Sequence, residues 1–285
     1  MWLDVSNCSR NTKTAEYRHK GDSMKQSPDY ACWIPKKLLT VSGGAGIALA
    51  VLFALSFLLA HSAAIVVLRV VLGVSTLLCL LFFSYMGIAY RMLSYEGGGV
   101  QGKVLDNVLH SLPWDGSGTL LDIGCGSGAL AVKAAKKYPR AQITGVDYWG
   151  EEWDYAQSQC ENNARIEGVG GRIRFHKQDA AKLQFPDAAF DAAVSNFVFH
   201  EVKSQPDKLL LIREALRVVK PGGAFCFEDV YFSKHYYPDL DGLLKALSGD
   251  VSELHFVDAR KNKFVPSILK TPMILGNMGL LYGKK

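Results

Sequence analysis

The sequence predicts an α/β protein, doubly wound around a mostly parallel seven-stranded sheet and preceded by a two-helix transmembrane hairpin. Three observations lead there. Two uncharged apolar runs, Leu38 to Ala60 and Val70 to Tyr90, lie near the start. Beyond them, short apolar strand-like runs alternate with amphipathic helical stretches of about 10–15 residues, the spacing of right-handed βαβ units. At the first of these strands the chain reads TLLDIGCGSGAL, Thr119 to Leu130, an apolar run that ends in glycines at alternate positions.

Residues 1–37 are polar and aperiodic and hold seven Lys/Arg against four Asp/Glu, so they are expected to form a flexible cytoplasmic tail. Met24 is a second candidate start. The two uncharged runs are 23 and 21 residues long, and about 20 apolar residues of helix cross a bilayer core. The hairpin is therefore expected over 38–91, with helices at about 38–60 and 67–90 joined by HSAAIVVLR. Buried core helices fit less well, because helices of soluble proteins keep a polar face. A cleaved signal peptide would not follow so long a leader or precede a second span. Lys36, Lys37 and Arg91 flank the pair, whereas the link offers Arg69 and a histidine. The positive-inside rule then puts both termini and the following domain in the cytoplasm. Trp33, Tyr85 and Tyr90 fall at the interfacial level on that side. The small residues of SGGAG, Ser42 to Gly46, allow close approach of the two helices or of another copy, a route to a homo-oligomer.

Residues 92–285 read as one domain. VQGKVLDNVLHSL is an amphipathic helix leading in. Strands are expected at 119–124, 142–147, 173–178, 191–197, 223–230, 253–258 and 279–283, and helices near 128–138, 151–167, 207–219 and 238–247. The last two strands are separated by a Pro-interrupted segment and suggest an antiparallel edge. Six cysteines form no CxxC pair, which argues against a metal site or a disulfide framework. The net charge of +5 is spread without a basic stripe, so nucleic acid is not an expected partner.

The glycine loop admits two ligands. Gly124-x-Gly126-x-x-Ala129 with Asp147 ending the next strand satisfies a dinucleotide pattern. Asp122, two residues before the first glycine, would repel a pyrophosphate and attract an ammonium group. S-adenosylmethionine carries such an ammonium, no phosphate, and a ribose diol for Asp147. Here the chain resembles the class I S-adenosylmethionine-dependent methyltransferases over roughly 92–285, in the branch with the ubiquinone and menaquinone methylases. LLDIGCGSG, GVDYW, KQDAAKLQFPDAAFDAAVSN and EALRVVKPGG are similar to its motifs in order. The resemblance implies a Rossmann-like fold and assigns the cofactor to Asp122, Gly124, Cys125, Gly126 and Gly128, with Asp147 at the ribose. Tyr148 and Trp149 are expected near the adenine, with core packing as the other reading. Asp179 and Ala180 are expected at the adenine amino group, although Asp179 in a strand-end position also suits a turn cap. Ser195 and Asn196 end the fourth strand, where cofactor and acceptor would meet.

Methyl transfer needs alignment, and deprotonation of an O–H, S–H or acidic C–H acceptor. His200 is the candidate base. Glu228 and Asp229, at the mouth of the fifth strand, could bind a cationic acceptor or orient the base. SYEGGGVQ, Ser94 to Gln101, reads as a linker, or as a lid with Tyr95 or Glu96 at the acceptor. SNFVFHE lacks the Asn-Pro-Pro-Tyr signature of enzymes that methylate amino groups in macromolecules. The expected function is a membrane-anchored methyltransferase for a small apolar or lipid-like acceptor: a quinol, an isoprenoid, a fatty acyl derivative or a lipid headgroup. The apolar FVPSILKTPMILG, Phe264 to Gly276, would line its route. Two readings stay open beside it: a diffusible thiol, phenol or amine as acceptor, and a membrane-anchored cofactor-binding protein without catalysis.

Overall fold

The computed structural model describes residues 27–95, 97–149 and 156–285. Met24 and Glu96, singled out above as a start and a lid residue, lie outside them.

Helix α1 (Lys36–Leu55) passes through a short 3₁₀ turn (Ser56–Leu58) into helix α2 (Ala63–Leu93). Both are long and apolar enough to cross a membrane, and almost none of their apolar stretch is buried by protein. The bend falls earlier than the sequence suggests, because local hydrogen bonds decide it. Ser62 caps α2 by accepting from the Ile65 N–H. Arg69, expected in the link, lies inside α2 and donates to the Ser56 and Leu59 carbonyls at 3.0 and 3.2 Å, tying off the end of α1. The small residues serve the hairpin itself: a Cβ on Gly43 would meet the Phe83 ring at 3.0 Å, and one on Gly46 would meet Leu80 at 3.2 Å. From Met86 onward α2 enters protein, with Met86, Ala89 and Leu93 buried.

The expected flexible tail is corrected over its last part. Tyr30, Cys32 and Ile34 are buried on the following domain, and the alternation is that of an extended strap with one face inward. Buried polar groups hold it. Asn163 accepts from the Asp29 N–H at 2.8 Å and donates to the Asp29 carbonyl at 2.7 Å. Ser127 donates to the Tyr30 carbonyl at 2.9 Å.

The domain follows as α3 (Val100–Ser111), β1 (Gly118–Ile123), α4 (Ala129–Lys137), β2 (Ala141–Asp147), α5 (Gln157–Ile166), β3 (Ile173–Lys177) and β4 (Phe190–Asn196). It ends with α6 (Lys208–Arg217), β5 (Val219–Asp229), α7 (Leu240–Ser248), β6 (Glu253–Val257) and β7 (Gly279–Lys284). The sheet order is β3-β2-β1-β4-β5-β7-β6. Strands β1 to β5 pair in parallel, and β7 runs antiparallel between β5 and β6. The last two strands do pair antiparallel as expected, with β6 outermost. This is the Rossmann-like methyltransferase topology. Leu120, Val194 and Cys226 face a core under α2, α3 and α4, and Leu121, Ala193 and Phe225 face another under α6 and α7. Strand order reverses between β1 and β4, so a crevice opens at their carboxyl ends, where open α/β sheets take ligands.

Candidate active site

That crevice is a cleft of about 940 Å³, near the top of the range for small-molecule sites. Its floor is the glycine loop. Gly124 and Cys125 both donate their N–H to the Val146 carbonyl, at 2.8 and 3.0 Å, which folds the loop back onto β2. Gly124 has φ +71°, and a Cβ there would lie 2.1 Å from a Val198 methyl. Only glycine fits.

Asp122, Asn196 and Gln101 line the cleft, and each has a buried oxygen without a hydrogen-bond partner: Asp122 Oδ2, Asn196 Oδ1 and Gln101 Oε1. Such groups are costly unless a ligand completes them. All three are acceptors, so the missing group is a donor. Burial pushes the Asp122 carboxyl up to about 8; a backbone N–H near Ala131 opposes this and the Asp147 charge adds to it. Among the described residues of the loop, β2 and the β3 end that line the cleft, none is Lys or Arg. The constellation suits an ammonium-bearing ligand, and the one Lys or Arg among the described residues lining the cleft is Lys203, beyond His200.

Asp147 ends β2 on the same wall. Its Oδ2 accepts from the Gly126 N–H at 2.9 Å and its Oδ1 from the Trp149 N–H at 2.8 Å, and burial raises its carboxyl. Each oxygen keeps a lone pair for a diol. Tyr148, Asp179 and Ala180 line the cleft. Asp179 also accepts from the Ala181 N–H at 2.9 Å, so its turn-capping role is present too. Two expected contacts lie elsewhere. The Trp149 indole donates to the Gly126 carbonyl at 2.9 Å and braces the loop from behind. Ser195 points to the other sheet face, where it donates to the Ile123 carbonyl at 3.0 Å. Cys125 lines the floor, its thiol raised by burial.

At the other end, His200 lines the cleft with its Nδ1 2.5 Å from Asp229 Oδ1. Asp229 is fully buried and also accepts from the His200 N–H, the Val230 N–H and the Tyr237 hydroxyl at 2.9, 2.8 and 2.7 Å. Four donors on one carboxylate fix the imidazole with its hydrogen on Nδ1 and leave Nε2 to accept a proton. Burial pulls the His200 pKa down, but the Asp229 charge and hydrogen bond outweigh it and leave it raised.

The acidic pair is split. Adjacent strand residues point to opposite faces, so Glu228 lies in the core with its carboxyl pushed well up by burial, which the Asn107 amide only partly offsets. It does not line the cleft, and neither does Tyr95, whose ring packs 4.7 Å from that of Tyr30 behind the strap.

Residues 121–227 match the model of the methyltransferase domain family. The chain carries a methyltransferase domain. Its relatives include the 27-O-demethylrifamycin SV methyltransferase of Amycolatopsis mediterranei, 31% identical over 45% of this chain and 44% of that one. The arsenite methyltransferase of Aquipseudomonas alcaligenes is 34% identical over 42% and 35%. The ubiquinone/menaquinone biosynthesis C-methyltransferase of Desulfotalea psychrophila is 28% identical over 60% and 74%. The chain thus spans less than half the length of two of these relatives. A solved geranyl diphosphate C-methyltransferase from Streptomyces coelicolor covers 64% of this chain and 75% of its own at 17% identity, with a TM-score of 0.49.

S-adenosylmethionine, the cofactor of such a methyltransferase domain, fits the residues present. Its ammonium would answer the buried acceptors on Asp122, Asn196 and Gln101, its ribose would answer Asp147, and the cleft walls beside Tyr148, Asp179 and Ala180 would suit its adenine. The sequence does not mark Gln101, which reaches the cleft only because α3 packs across the sheet. Trp33, Ile34 and Leu93, from the strap and the end of α2, also line the methyltransferase cleft. Their signal was the short apolar run YACWI, Tyr30 to Ile34, standing in an otherwise polar leader.

Proposed function

We propose that this chain is a membrane-anchored, S-adenosylmethionine-dependent methyltransferase acting on a small apolar or lipid-like acceptor whose head bears an ionisable O–H, S–H or acidic C–H. The observation that carries this reading is the make-up of the cleft. It joins the cofactor loop and His200 to an apolar wall of Trp33, Ile34, Leu93, Met273 and Ile274, contributed by segments at the feet of the two apolar helices. Met273 is 67% exposed, and the Tyr85 hydroxyl on α2 hydrogen-bonds Thr271 at 2.7 Å and the Ile268 carbonyl at 3.1 Å. The apolar 264–276 segment is thus held against the helix that would carry it to the bilayer. In this reading the hairpin is the membrane anchor, residues 92–285 are the catalytic domain, and the Lys36, Lys37 and Arg91 flanks put it on the cytoplasmic side.

When bound, S-adenosylmethionine supplies a methyl group on a sulfonium, the S–C electron pair returning to sulfur as the acceptor bonds the carbon. His200 Nε2 takes the acceptor's proton, and Asp229 holds the ring in that tautomer and stabilises the imidazolium. Asp122 and Asn196 would hold the cofactor's amino-acid end, and Gly124 would let it lie against the backbone. Ser204, Ser233 and Tyr236 line the cleft around His200 and suit the polar head of an amphiphile.

The test supplies full-length protein in detergent micelles with methyl-labelled S-adenosylmethionine and, separately, a total lipid extract and an aqueous small-molecule fraction of cells. Label in the organic phase supports the reading. Label in the aqueous fraction alone replaces it with a diffusible thiol, phenol or amine, the hairpin then being an address. Cofactor binding with no transfer to either fraction turns the assignment to a non-catalytic binding protein.

A further inference from the structure

We propose that the strap ahead of the first apolar helix is part of the active site, with Trp33 an acceptor-binding residue of the methyltransferase. The inference rests on the methyltransferase reading, and not on the acceptor being lipid-like.

A linker that merely leads into a membrane helix needs no hydrogen bonds to a domain. This one is latched by buried polar side chains placed for it. Asn163 is fully buried and bonds both the N–H and the carbonyl of Asp29, while its Nδ2 also donates to the Ser127 carbonyl at 3.0 Å. Gln159 adds a second bond to the Asp29 carbonyl at 2.8 Å. Ser127, inside the glycine loop, donates to the Tyr30 carbonyl, and the Tyr30 hydroxyl donates to Glu167 at 3.0 Å. Farther along, the Cys32 thiol lies 3.7 Å from the Tyr90 carbonyl of α2. One extended segment therefore joins α5, the glycine loop and α2.

The latch delivers Trp33 to the cleft. Its ring meets the Phe197 ring edge-on, centroids 5.2 Å apart, and both line the cavity. Phe197 directly follows Asn196 and lies three residues before His200, so this aromatic pair stands at the acceptor's end. Ala31 and Phe197 both sit at positive φ, +51° and +55°. Non-glycine residues hold that conformation only where their surroundings over-determine it, which is common at ligand sites. Here one of the two strained residues makes the contact that closes the cleft wall, and the other lies two residues before its partner Trp33. An apolar or aromatic acceptor body would pack against Trp33 while its head faces His200.

The test uses the full-length protein in micelles with Trp33→Ala, Trp33→Phe and Asn163→Ala, which removes two of the latch bonds to Asp29 together with the bond to the Ser127 carbonyl. It measures the dissociation constant of S-adenosylhomocysteine, amide hydrogen exchange over residues 29–34, and label transfer titrated with whichever cell fraction the wild type methylates. Trp33→Ala should raise the half-saturating amount of that fraction about tenfold at nearly constant maximal rate, the signature of lost uniform binding. Its S-adenosylhomocysteine affinity should stay within about twofold, and Trp33→Phe should recover most of the loss. Asn163→Ala should speed exchange over 29–34 and give the same rise. Unchanged half-saturation in Trp33→Ala, or an equal loss of S-adenosylhomocysteine binding, overturns the proposal. Transfer only to the aqueous fraction would remove the lipid-like acceptor and leave the Trp33 comparison intact. A wild type that methylates neither fraction overturns both.

Discussion

Asp122 shows how a single carboxyl can report on ligand binding. Held at about 8 by burial, it is mostly protonated at pH 7, and an ammonium beside it requires the ionised form. Binding of S-adenosylhomocysteine should therefore release a proton from this carboxyl at pH 7 and distinctly less at pH 9. Calorimetry in buffers of different ionisation enthalpy reads this directly, and Asp122→Asn should abolish it. The same shift has a sign for stability. A raised folded pKa means the folded state keeps a proton the unfolded chain has lost, so unliganded stability should fall as pH rises from about 4 to about 8. His200 titrates the other way for activity, because the base must be neutral. The rate should rise with pH through one ionisation above the ordinary histidine value, and Asp229→Asn should move that inflexion down by removing the charge that raises it. His200→Gln should slow transfer by roughly 10²–10⁴-fold if proton removal is needed, while S-adenosylhomocysteine affinity holds. Asp122 and His200 were legible as residues because chemistry singles them out. The fates of Glu228 and Asp229 were not, since two adjacent acids read alike until a strand turns one into each core.

At the scale of elements, the strands were legible to within a residue or two at most ends, because their apolar runs are bounded by glycine, proline and charge. Strand β5 was the exception and begins earlier, its start running through Pro221 and two glycines. The hairpin bend was less legible: an apolar link gives no contrast, and Ser62 and Arg69 decide it through hydrogen bonds. The strap escaped because an extended segment with three inward residues has too short a pattern to stand out from a polar tail. The glycine loop makes the sharpest prediction at this scale. Gly124→Ala puts a methyl into Val198 at a backbone angle that L-residues avoid. It should lower the melting temperature by several degrees and raise the S-adenosylhomocysteine dissociation constant well over tenfold. Unchanged binding in a calorimetric titration would mean the loop does not touch the cofactor.

For the whole molecule, the joint between hairpin and domain sets where the cleft stands. Tyr85 is the fastening on one side, so Tyr85→Phe should speed amide exchange over 268–276 while leaving the glycine loop's protection unchanged. The helix below it acts as a ruler. From Ala63 to Tyr85, where α2 first hydrogen-bonds the 264–276 segment, the helix runs 23 residues, about 34 Å at 1.5 Å per residue, close to the thickness of a hydrocarbon core. From Tyr85 to Leu93, which lines the cleft, is about 12 Å more. In a bilayer the reacting atoms would therefore stand one short stalk above the lipid tails. A molecule sunk wholly among the tails would have to leave them to react, whereas one with its head at the surface needs only to lean in.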